Sequence, residues 1–168
     1  EVLKQNGSAL EYVSEEFRGD REIVLAAMTY YLAFGDASEE LKADRDFVLE
    51  VVKKNGDAFA WCVPEEFGAD RQIVLAAVKG ASSEGAFNSA SEELRGDREV
   101  VLEAVRNNGE ALESASEKLR GDREIVLAAL TNNPHVFKFA SRELQNDLQL
   151  SQMVKGLLKI NKKGPLLR

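Results

Sequence analysis

The sequence predicts an all-α fold, a solenoid of about six stacked 25-residue helical repeats, and three observations predict it. The phrase Asp-Arg-x-apolar-Val-Leu recurs at Asp20 to Leu25, Asp44 to Leu49, Asp70 to Leu75, Asp97 to Leu102 and Asp122 to Leu127, with a worn copy from Asp147. These aspartates are 24, 26, 27, 25 and 25 residues apart. A second phrase lies between them, clearest as Asn108-Gly109-Glu110-Ala111-Leu112 followed by Ala115-Ser116-Glu117-Lys118-Leu119-Arg120-Gly121. Self-similarity at a fixed period of this length is the mark of a solenoid.

The physics of one unit follows from its residues. Asp20, Asp44, Asp70, Asp97, Asp122 and Asp147 are placed to cap helices, because a carboxylate accepts the orphan N–H groups of a first turn. Each helix then runs about ten residues through Leu, Ala, Val and Met. The Asn-Gly pair ends it, with glycine expected in the left-handed conformation. A second short helix covers Ala-Leu-x-x-Ala. Serine caps a third turn whose acids match the positive end of its dipole. Helices this short are marginal alone, so neighbouring units must share a core.

Counting each aspartate as zero, position five is always leucine: Leu25, Leu49, Leu75, Leu102 and Leu127. These leucines are assigned to the core. Position three (Ile23, Phe47, Ile73, Val100, Ile125) and position eight (Met28, Val52, Val78, Val105, Leu130) join them. Position seven is mostly alanine, as suits close helix approach. Position six, alternately Ala and Glu, is expected at the surface. The arginines at position one (Arg21, Arg45, Arg71, Arg98, Arg123) oppose the dipole. They are therefore expected to reach acids of an adjacent turn or repeat.

The repeat array is placed at residues 1–146, with a partial first unit at 1–19 and full units starting at 20, 44, 70, 97 and 122. Residues 147–168 form a degenerate capping helix and a basic tail. Glu1-Val2-Leu3 aligns with Glu103-Ala104-Val105, so the sequence opens inside a helix, and further repeats or a leader are expected upstream.

Charge divides along the chain. The total is −7, yet residues 147–168 hold five basic residues and one acid, a net +4, which leaves −11 on the other 146 residues. An acidic body of this kind argues against nucleic-acid binding. No run of 18 apolar residues is present for a transmembrane helix. A single cysteine, Cys62, excludes an intramolecular disulfide and is compatible with a reducing compartment or an organelle.

Catalytic chemistry has little to rest on. His135 has no second histidine for a metal pair or base relay. Cys62 and its neighbour Trp61 are read as core of a short helix. The acid pairs Glu15-Glu16, Glu39-Glu40, Glu65-Glu66 and Glu92-Glu93 recur with the serine-capped turn and are read as surface acids. No phosphate loop, zinc spacing or calcium loop occurs. The expectation is a non-enzyme without cofactor or metal.

Two irregularities point to a binding face. Tyr30-Tyr31-Leu32-Ala33-Phe34 replaces Asn-Gly, and Lys79 to Gly85 lengthens the same turn. Insertions in solenoids map to one face. Tyr30, Tyr31 and Phe34 are candidate partner contacts, as are Lys155, Lys159, Lys162 and Lys163 of the basic tail, which suit an acidic protein or a membrane surface.

The consensus, clearest from Asp97 to Gly121 and from Asp122 to Asn146, resembles the tandem units known as domain of unknown function 4116. The resemblance covers the chain to about Asp147. Pro64 in place of the capping serine departs from it, as do the two irregular turns and the tail. It implies a repeat scaffold of a protist, alga or similar microbe and no catalytic residues. The function expected is protein–protein interaction, with an unidentified protein as partner. The alternative is a peripheral subunit of a large assembly, such as an organellar or photosynthetic membrane complex.

Overall fold

The computed structural model describes residues 7–28, 31–81 and 85–162. Among them every regular element is helical. Six helices follow the six aspartates: α1 (Arg21–Ala27), α2 (Arg45–Lys54), α3 (Arg71–Gly80), α4 (Arg98–Asn107), α5 (Arg123–Asn132) and α6 (Leu148–Lys162). The fold class is the all-α repeat solenoid.

Every one of the six aspartates accepts first-turn N–H groups. The Asp44 Oδ1 takes Asp46 and Phe47 at 3.0 Å each, and the Asp122 Oδ1 takes Glu124 and Ile125 at 2.9 and 3.2 Å. Asp20 caps Ile23, Asp70 and Asp97 each bind two N–H groups, and Asp147 caps Leu150. The second helix of each repeat is short. It is a 3₁₀ segment at Gly7–Tyr12, Tyr31–Asp36, Gly109–Ser114 and Pro134–Phe139, and one α-turn at Ala58–Trp61 and Gly85–Asn88. The third is a turn or so, as at Glu39–Ala43 and Glu117–Arg120. Ser38, Ser91 and Ser141 cap the third turn through their hydroxyls.

The chain divides into two compact units, Glu1–Leu94 and Arg95–Arg168. In the first, α2 lies against α3. Phe34, Phe47, Val48, Val51, Phe59, Ile73 and Phe87 are among its buried residues. In the second, α4 packs on α5, around Val101, Val105, Leu112, Ile125 and Leu130.

Three assignments from sequence need correcting. Position five is not full core: Leu25, Leu75, Leu102 and Leu127 are half-buried, and only Leu49 is buried. The deepest stripe is positions three, four, seven and eight. The position-four valines Val24, Val48, Val74, Val101 and Val126 are all wholly enclosed. At 3.6 residues per turn, position five lies about 130° from the centre of that stripe. Position six is likewise half-buried except at Glu50, so it too belongs to the flank. Trp61 is 67% exposed and Cys62 only half-buried, because Ala58 and Phe59 take the inward places on that four-residue helix.

The glycine of Asn-Gly has a different purpose from the one expected. Neither Gly56 nor Gly109 has a left-handed φ. A Cβ on Gly56 would stand 2.2 Å from the Ala77 carbonyl oxygen, and one on Gly109 would stand 2.7 Å from that of Ala129. The next repeat's first helix passes too close for any side chain. Asparagine supplies the turn itself: the Asn55 and Asn108 side chains accept the N–H groups of Asp57 and Glu110.

Gly109→Ala is expected to cost about 1–3 kcal/mol through overpacking on backbone. Gly156→Ala, on α6 with open space around it, should gain about 0.5–1 kcal/mol. Leu112→Ala should lose about 2–5 kcal/mol, whereas half-buried Leu127→Ala should lose less than about 2 kcal/mol. Urea unfolding of the four variants checks both contrasts.

Candidate functional site

Two kinds of bond join neighbouring repeats within each unit. The first is the arginine rung. Arg21 reaches Asp44 at 2.9 Å, Arg45 reaches Asp70 at 2.6 Å, Arg98 reaches Asp122 at 3.1 Å and Arg123 reaches Asp147 at 2.6 Å. Arg45 also donates to Gln72, and Arg98 to Glu124. The cation lies at its own helix start yet meets the carboxylate of the next. Arg21 in addition stacks over the Phe47 ring, 4.7 Å from its centroid.

The second bond is between backbones. The N–H of the capping serine donates to a carbonyl two residues before the preceding aspartate: Ser38 to Arg18, Ser91 to Gly68, Ser116 to Arg95 and Ser141 to Arg120, at 2.8–3.0 Å. Pro64 stands where the matching serine would face Lys42, and proline has no N–H to give.

These bonds hold neighbouring first helices side by side, and the flanks of α2 with α3, and of α4 with α5, line grooves. Between α2 and α3 the groove is open and measures about 480 Å³. Its walls are Leu49, Leu75 and Ala76, with Lys53, Lys79 and Gln72 around them. The two leucines come from position five, the lysines from position nine. Equivalent positions of α4 and α5 in the second unit, Arg106, Ala128, Thr131 and Asn132, line a smaller groove of about 370 Å³. Both grooves therefore carry an alanine at position six and a basic residue at position nine of the first helix.

Electrostatics at the rungs favour ionised aspartate. At Asp70 and Asp122 partial burial is the largest influence and raises the pKa. The Arg45 or Arg98 guanidinium and the first-turn N–H groups together outweigh it, so both carboxyls sit below the usual range. At Asp44 the Phe47 N–H, and at Asp147 the Leu150 N–H, is the main cause of the same lowering. Asp36 goes the other way, raised by burial first and then by Glu11.

The residues singled out from sequence fare unequally. Phe34 is fully buried, its ring 6.1 Å from that of Phe47, so it is core and not an exposed anchor. It occupies the place that Leu112 takes in the second unit. Tyr30 lies outside the described residues, and so does the side chain of Tyr31 at the start of its 3₁₀ segment. Lys155 and Lys159 are exposed on α6; Lys163 and the Lys162 side chain lie outside the described residues. The long turn after α3 is described only to Ala81 and from Gly85, but Lys79 and Gly80 at its start belong to the groove. His135 is exposed, its N–H donating to the Asn133 side chain. All eight residues of the four acid pairs are exposed. Among the described residues no group of three or more His, Cys, Asp or Glu could hold a metal ion. The Cys62 thiol faces the Leu32 carbonyl at 3.7 Å, and burial pushes its pKa up, the reverse of an activated nucleophile.

Sequence reasoning missed the groove. The signal was present: a position that is always leucine while position three, buried in every repeat but that of Ile23, varies among Ile, Phe and Val.

The family described as Domain of unknown function (DUF4116) matches at residues 1–42, 28–68, 44–95, 70–120, 97–145 and 122–163, six overlapping stretches. The chain belongs to the DUF4116 family. The last match includes α6, so the DUF4116 pattern extends past Asp147, beyond the bound set by the sequence motif. No curated protein and no solved structure matches this DUF4116 chain. No helix among the described residues is long and apolar enough to cross a membrane.

The aspartate pKa shifts set a pH dependence. A carboxyl with a lowered folded pKa contributes stability above its unfolded pKa, about 3.9. That stability disappears as pH falls through the folded value. Acid unfolding followed by circular dichroism should therefore steepen below about pH 4. Asp70→Asn/Asp122→Asn, which keeps a capping side chain, should flatten that limb.

Proposed function

We propose that this DUF4116 chain is a non-enzymatic scaffold that binds another protein in the groove between α2 and α3. The observation that carries the reading is the half-buried leucine row. Leu25 and Leu75 are held invariant by repeat where packing is looser than in the core. A side chain kept constant at the edge of the core is placed to meet something outside it.

Charge selects the partner. Lys53 and Lys79 flank the apolar walls formed by Leu49, Leu75 and Ala76. A segment that fits presents an apolar side chain to the leucines and acids to the two ammonium groups, in the manner of a helix laid in a groove. Much of the chain's surface is acidic and repels acidic segments, which favours such a partner at this basic rim. The exposed aromatic Trp61, and Lys155 and Lys159 on α6, offer separate contacts of the kind a subunit of a larger assembly would use.

Selection of displayed peptides on the full chain tests the groove. Enriched sequences should combine a Leu, Phe or Trp anchor with flanking Asp or Glu. Leu75→Glu should abolish their binding, and Lys53→Glu/Lys79→Glu should weaken it about tenfold or more with little change in melting temperature. Binders indifferent to Leu75, or basic in composition, would remove the groove from consideration.

A further inference from the structure

Three guanidiniums repeat at one place in the unit, two residues before the aspartate: Arg18, Arg95 and Arg120. In each the Nε is shielded from solvent and has no hydrogen-bond acceptor. A buried donor without a partner costs free energy and calls for an explanation, such as an ion or a water. A feature common to three repeats would by itself indicate bridging water and nothing more.

Arg120 differs from the other two in its surroundings. It lines a cavity of about 450 Å³ together with Glu117, Ala140, Ser141 and Arg142. The residue after the capping serine or proline is glutamate in every other repeat: Glu15, Glu39, Glu65, Glu92 and Glu117. Only in the last is the sign reversed, to Arg142. Arg18 has the Asp36 carboxylate of the following repeat within electrostatic reach, and the repeat after Arg95 carries Glu117 at the position of Arg142. Arg120 faces a second cation.

Helix stability does not explain the reversal. A cation in a first turn opposes the helix dipole. Nor is Arg142 engaged elsewhere: neither it nor the Arg120 side chain has an ion-pair partner among the described residues. Two unpaired guanidiniums on one cavity, in a chain of net charge −7, repel each other with only the Glu117 carboxylate between them and neutrality.

We propose that this cavity binds a phosphate group, held by Arg120 and Arg142. Arginine's planar fork suits phosphate oxygens, and two such forks can grip one phosphate group from two sides; with Glu117 on the same cavity the local sum is +1, an excess that a phosphate anion offsets. Ser141 adds little, because its hydroxyl already accepts the Leu144 N–H and its own N–H donates to the Arg120 carbonyl. The site is independent of the α2–α3 groove, which belongs to the other unit.

The test is a titration of the full chain with inorganic phosphate, followed by NMR at the arginine Nε–H resonances. Arg120 should shift and saturate at millimolar phosphate, while Arg18 and Arg95 stay still as internal controls. Arg142→Glu, which restores the charge of the other repeats, should weaken binding about tenfold or more, with the melting temperature kept. A phosphoserine peptide that binds more tightly than free phosphate would identify a phosphorylated protein as the source; equal affinity would identify the free ion. Equal shifts at all three arginines, no saturation at tens of millimolar, or undiminished binding by Arg142→Glu would each overturn the proposal.

Discussion

One carboxylate with two obligations governs the repeats that begin at Asp44, Asp70, Asp122 and Asp147. An oxygen of the aspartate satisfies the first turn of its own helix, and its partner oxygen receives the arginine of the helix before. Asp44 does so with Phe47 on one side and Arg21 on the other, and Asp122 with Ile125 and Arg98. Local secondary structure and the stacking of neighbours are thus tied to one atom group. A slip of one unit along another by a single residue breaks both. The rungs are half exposed, so their worth is in register more than in raw stability, which comes from the buried valines and phenylalanines.

The serine-to-carbonyl bond adds a second tie between neighbouring repeats. Repeats so tied come close enough that glycine is required where Gly56 meets Ala77 and Gly109 meets Ala129. Close approach has a consequence for the surface. Helices drawn together along positions three, four, seven and eight leave positions five and nine on a shared flank, and the groove is the space between two such flanks. The groove is thereby a by-product of how the core is packed. Its chemistry is set by residues that the core does not constrain, such as Lys53 and Lys79.

Departures from the repeat sort into two groups by this logic. Phe34 for leucine and Pro134 for glycine change packing volume and stay inside the core, so they alter the fit of a neighbour and expose nothing. Arg142 for glutamate and Trp61 on its short helix change what solvent meets. The second group is where function is to be sought, because the fold gains nothing from it.

The sequence alone determined the repeat, its period, the helix starts and the aspartate caps. These depend on contacts within a few residues, and the spacing of Asp, Leu and Asn-Gly encodes them directly. It also led to the arginine ladder, since a cation at a helix start is unfavourable unless something nearby compensates. What only tertiary structure decided is depth: Leu75 at the flank, Val74 in the interior, Phe34 enclosed and Trp61 exposed. Depth depends on the distance and rotation between neighbouring helices. A one-dimensional pattern gives the face of a helix but not how far the next helix covers it.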